Sequence, residues 1–86
     1  SLAKYLRSNP EMLRKYTLAV ATELWTTANS ADIVRETGAI SLRNNVLYIT
    51  IHNPALRASL TTLRNDILAR LNEELRIARL SDVKFV

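Results

Sequence analysis

The stretch from Gly38 to His52, GAISLRNNVLYITIH, constrains the fold more than any other part of the chain. It reads as two short strands around Asn44-Asn45. Asn tolerates positive φ better than other non-glycine residues, so Asn-Asn suits a two-residue type I′ turn, though less strongly than Asn-Gly. That loop sets Arg43 opposite Val46, Leu42 opposite Leu47, Ser41 opposite Tyr48, Ile40 opposite Ile49 and Ala39 opposite Thr50. Strand side chains alternate between faces. One face therefore carries Ile40, Leu42, Leu47, Ile49 and Ile51; the other carries Ala39, Ser41, Arg43, Val46, Tyr48, Thr50 and His52. A lone hairpin is marginal in water. Helices must cover the first face, and the second can stay open.

The flanking sequence supplies such helices. Ser1 to Ser8 is a short amphipathic piece with Leu2, Tyr5 and Leu6 on one side. Asn9-Pro10-Glu11 is a helix start, with Asn as N-cap, Pro in the first turn and an early acid. Leu13, Tyr16, Thr17, Val20, Ala21 and Leu24 then recur at three- and four-residue steps, with Trp25 on the shoulder as a packing anchor. Ser30 is positioned to cap a second short helix ending near Thr37, and Gly38, the single glycine, stands where helix gives way to strand.

After the hairpin, Asn53-Pro54 repeats the start signal. One long helix is expected, with Leu56, Leu60, Leu63, Ile67, Leu71 and Leu75 as its apolar stripe. On such a helix Arg57 and Arg64 fall on one shoulder, ~10 Å apart along the axis. Two readings stand for them: rim residues with packed stems and solvated heads, or a pair of phosphate contacts. Residues 76 to 81 hold no Gly or Pro, and Ser81 to Val86 alternates as a third strand, which puts Lys84 on the open face with Arg43 and Tyr48.

Composition narrows the chemistry. Eighty-six residues allow one small domain. Twelve Lys and Arg against eight acids give a net charge of +4, mostly through Arg, whose planar fork pairs with phosphate. One glycine excludes Walker and dinucleotide loops, and also the Gly-x-x-Gly clamp of KH domains. One histidine and no cysteine exclude His-rich metal sites and disulfides, and fit a reducing, cytoplasmic setting. Glu73 and Glu74 are helix neighbours pointing about 100° apart, so they do not converge as a catalytic pair. No apolar run approaches the ~20 residues of a membrane span. Ser1 in place of a start Met leads us to expect a trimmed chain.

The segment from Leu24-Trp25 through Phe85 resembles the DciA-like family of bacterial proteins, associated with loading or operating the replicative helicase. The matching pieces are Leu24-Trp25, the run Ile40 to Ile49, Pro54 to Leu60, Leu63-Arg64, Arg70 to Glu73, and Asp82 to Phe85. The chain departs from the family at Ser30 and Arg76, where relatives usually have Gly. The resemblance implies a KH-like αββαβ fold, a DNA- or RNA-associated role, contact with a hexameric helicase, and a basic, partly disordered extension elsewhere.

These readings converge on an α+β domain over residues 1–86, a three-stranded sheet with helices on one face. The expected function is a non-enzymatic nucleic-acid-associated module without cofactor, metal or catalytic residue. Arg43, Arg57, Arg64 and Lys84 would attract phosphate, and Tyr48 would stack on an unpaired base. Single-stranded DNA is the favoured ligand, with RNA as the other; the replicative helicase and a weak homodimer are the expected protein partners. The alternative is an interaction module without nucleic-acid contact, using Val46, Tyr48 and Val86.

Overall fold

A computed structural model describes residues 1–86. In chain order the elements are α1 (Leu2–Arg7), α2 (Pro10–Ala28), α3 (Ala31–Arg35), β1 (Thr37–Arg43), β2 (Val46–Ile51), α4 (Pro54–Thr62), α5 (Arg64–Glu74) and β3 (Asp82–Phe85). The fold is α+β, with a three-stranded mixed sheet ordered β1-β2-β3. β1 and β2 are antiparallel, and β3 lies parallel to β2. The helices pack on the face bearing Leu42, Leu47, Ile49, Ile51, Val83 and Phe85, which are all buried.

The hairpin forms as its turn residues dictate. Asn44 and Asn45 take φ of 51° and 64°, the positive pair a type I′ turn needs. The pairings from Arg43↔Val46 to Ile40↔Ile49 occur as expected. Ala39 does not pair with Thr50. A bulge places one extra residue in β1 between Thr37 and Ile40, so Thr37 pairs with Ile51. The bulge reverses the alternation, and Thr37 turns inward, where its hydroxyl accepts a hydrogen bond from Trp25 Nε1 (3.1 Å) and donates to Ile33 O (2.9 Å). Gly38 sits in the bulge because a Cβ there would lie 2.8 Å from His52 Nε2 and 3.2 Å from Thr50 Cγ2.

α2 starts as its sequence predicts, with the Asn9 side chain accepting from Met12 N and Pro10 in the first turn. Its buried residues are Thr17, Ala21 and Trp25, and the Trp25 ring meets Phe85 at 5.5 Å between centroids. Trp25 is thus the packing anchor, joining α2 to the sheet. In α1 only Leu6 is buried, apart from the main core cluster; Leu2 and Tyr5 stay exposed because α1 packs chiefly on α2. Ser30 precedes α3 but makes no side-chain cap, and α3 ends at Arg35.

The long helix expected after Pro54 is two helices. Leu63, at φ −98° and ψ 7°, ends α4 with an N–H bond to Leu60 O at 3.0 Å, a tightened last turn. Thr61 and Thr62 hydroxyls donate to the Arg57 and Ser59 carbonyls, and such side-chain bonds compete with the helical ladder. Leu63 therefore leaves the stripe and is 50% exposed, whereas Leu60, Leu71 and Leu75 are buried. Beyond α5, the Asn72 amide fastens the return to β3: Nδ2 donates to Leu80 O (3.0 Å), and Oδ1 accepts from Leu80 N (2.8 Å). Among non-glycine residues only Asn44 and Asn45 have positive φ, so the backbone at Ser30 and Arg76 has no need of glycine.

Candidate nucleic-acid interface

The open face of the sheet is built in rows by strand register. Arg43, Val46 and Asp82 form one row, and Ser41, Tyr48 and Lys84 the next. Alternation keeps all six on the side opposite the core, as the buried Leu42, Leu47 and Val83 between them require. The Arg43 guanidinium carbon lies 4.6 Å from the Tyr48 ring centroid, and Lys84 is the direct cross-strand neighbour of Tyr48. Tyr48 is half-buried, and Arg43 and Lys84 are exposed. Three of the five residues singled out from sequence thus form one group.

Arg57 and Arg64 do not join each other. With the helix broken at Leu63, they belong to different elements and go to opposite ends of the sheet. Arg57 grips the end of β2, where Nε and Nη2 donate to Ile51 O at 3.2 and 2.9 Å. Arg64 Nε lies 3.5 Å from Asp82 Oδ1 at the start of β3. Asp82 pairs with Val46, five residues from Ile51, so the two anchor points lie ~17 Å apart along the strand. The Arg64–Asp82 pair is partly exposed and contributes at most about 1 kcal/mol. Arg57 is the more committed of the two, because a two-pronged bond to a carbonyl occupies one edge of its fork. Arg64 keeps its guanidinium beside the row of Arg43, at the outer edge of β3.

Elsewhere Arg14 and Arg79 line one cleft of about 430 Å³ at the turn end of the sheet, with Asn44 and Asn45. Sequence reading missed this pair. Arg14 lies on α2 and Arg79 in the connection before β3, and only the tertiary fold brings them to one place. The general arginine excess was the sole sequence signal. A second cleft, about 370 Å³, lies between the end of α2 and α5, with Trp25, Ile67, Arg70 and Glu73 among its lining residues. No group of three or more His, Cys, Asp or Glu side chains is gathered as a metal site would need, and no helix is long and apolar enough to cross a membrane.

A comparison with curated proteins finds no match. The family model described as Dna[CI] antecedent, DciA, matches residues 1–85, which takes in α1 and the start of α2 as well as the segment that carries the sequence resemblance.

Proposed function

The chain belongs to the DciA family, a bacterial DNA-replication family linked to loading of the replicative helicase, and we propose that it is a non-enzymatic module that holds single-stranded nucleic acid on its open sheet face. The observation that carries this reading is the group of Arg43, Tyr48 and Lys84 on adjoining rows of that face. A strand would lay its phosphates along Lys84 and Arg43, with Arg64 at the edge, while one base stacks on Tyr48. Arg43 covers the ring in the free protein. That contact is worth about 0.5–1 kcal/mol at an exposed site, against about 1–3 kcal/mol for base–aromatic stacking. Exchange of guanidinium for base is therefore favourable, and it releases Arg43 to a phosphate. Binding of this kind reads backbone charge and ring faces, so it carries little sequence preference. DNA is the ligand the family membership favours, with RNA as the competitor, and both the helicase and the cytoplasm follow as the setting. Arg57 serves as a strand clamp that holds this surface in register.

Fluorescence anisotropy with labelled oligothymidylate at several salt concentrations tests the reading. We expect Arg43→Ala/Lys84→Ala to lower the log–log salt slope by about 1.4, the value for two single-strand phosphate contacts. An unchanged slope and affinity would remove the sheet face from binding.

A second reading rests on the sheet order: β1 and β3 are both edge strands, and Val86 beside β3 is exposed. Strand addition by a helicase segment or by a second copy would use that edge, with Val46 and Tyr48 as contacts on the open face. In that case Tyr48→Ala abolishes self-association or helicase capture and leaves nucleic-acid affinity intact.

A further inference from the structure

The cleft at the turn end of the sheet has the chemistry of a second phosphate site. Leu42 belongs to a non-hydrogen-bonded pair of a two-residue hairpin, so its carbonyl points away from β2 toward the free edge of β1. Arg14 reaches that edge from α2, with Nη1 3.5 Å from Leu42 O, a long contact that leaves most of its donors unused. Arg79 enters from the connection before β3, and its side chain makes neither a salt bridge nor a hydrogen bond. Asn44 and Asn45 of the turn and Thr17 also line the cleft. No residue lining the cleft is acidic, although the chain holds eight acids.

The two walls of the cleft are hydrogen-bonded to each other. Ser81 donates to Asn45 O through both its N–H (2.8 Å) and its hydroxyl (3.1 Å), which ties the β1–β2 turn to the segment that carries Arg79. Two guanidinium groups without a carboxylate partner, lining one cleft with two amide side chains, suit a phosphodiester: Arg forks bind its anionic oxygens in pairs, and Asn supplies neutral donors. The tip of the hairpin lies three residues from Tyr48, ~10 Å along β2, and Arg43 stands between the two places.

We infer that the Arg14–Arg79 cleft holds a backbone phosphate of the same single strand that lies on the sheet face, so that the strand turns around the hairpin tip from Tyr48 past Arg43 into the cleft. This rests on the nucleic-acid reading above and extends its path. The site takes phosphodiester charge and makes no base contact.

The test compares wild-type protein with Arg14→Gln/Arg79→Gln and Arg14→Lys/Arg79→Lys, on oligothymidylates of roughly 4 and roughly 16 nucleotides, by anisotropy against salt. The short strand covers the sheet patch alone. For the Gln variant we expect an affinity loss of at least roughly tenfold on the long strand, with a salt slope lower by about 0.7, the value for one single-strand phosphate contact, and unchanged binding of the short one. The Lys variant keeps the slope and loses part of the affinity, since a point charge replaces a fork. Equal binding of the long strand by wild type and the Gln variant overturns the cleft while leaving the sheet face in place, as does a loss that is the same on both lengths. Failure of the wild type to bind either strand overturns the nucleic-acid reading and this extension together. Circular dichroism confirms that the variants, changed at exposed positions, are folded.

Discussion

Thr37 carries three jobs on one hydroxyl-bearing side chain. It begins β1, it satisfies the buried Trp25 indole, and it returns a hydrogen bond to Ile33 O at the end of α3. Thr37→Val keeps the β-branched shape and removes the oxygen. A buried N–H then has no acceptor, which costs about 1–3 kcal/mol. Urea denaturation should show a lower midpoint with an unchanged slope, and a Thr37→Ser variant should recover most of the loss. The sequence identified Trp25 as an anchor because the helical stripe ran to it, but gave no hint of its partner. The partner depends on a one-residue bulge, and bulges follow from tertiary fit: Gly38 leaves room for His52 and Thr50, and the alternation slips there.

Elements were legible wherever a local rule acted alone. The turn at Asn44-Asn45, the Asn-Pro starts of α2 and α4, and the inward faces of β1, β2 and β3 all follow from side chains within a few residues of one another. The break at Leu63 did not, because an unbroken four-and-three spacing of leucines continues across it while the polar Ser59, Thr61 and Thr62 loosen the backbone beneath. This difference is measurable. A continuous stripe would make Leu63 as costly to replace as its neighbours. The broken one makes Leu63→Gln nearly neutral, within about 0.5 kcal/mol, while Leu60→Ala costs about 2–5 kcal/mol. Thermal unfolding of the two variants decides between them. The same break explains why counting places Arg43, Tyr48 and Lys84 on one face but does not place Arg57 beside Arg64: strand register crosses the sheet by simple counting, whereas helix phase is lost at an interruption.

At the scale of the molecule, the sheet joins near and distant parts of the chain. β1 and β2 meet through a two-residue turn, but Ser81 and Asn45, which tie β3 to that turn, stand 36 positions apart. Closing that loop costs more entropy than closing the hairpin, and β3 has only one strand neighbour. Asn72 holds its approach through the Leu80 backbone. Asn72→Ala should therefore release β3 selectively. Hydrogen exchange would show faster exchange at the Lys84 and Val86 amides, by roughly tenfold or more if the two bonds are worth about 1 kcal/mol each, with little change at the β1–β2 amides. The placement of β3 at the edge also matters for the candidate interface. Arg43 and Tyr48 come together as soon as the hairpin closes, but Lys84 arrives only when the last strand docks. The surface is thus complete only while β3 is docked, so a strand bound across it would act as a staple, making the opened edge rarer by a factor that grows with ligand concentration relative to Kd.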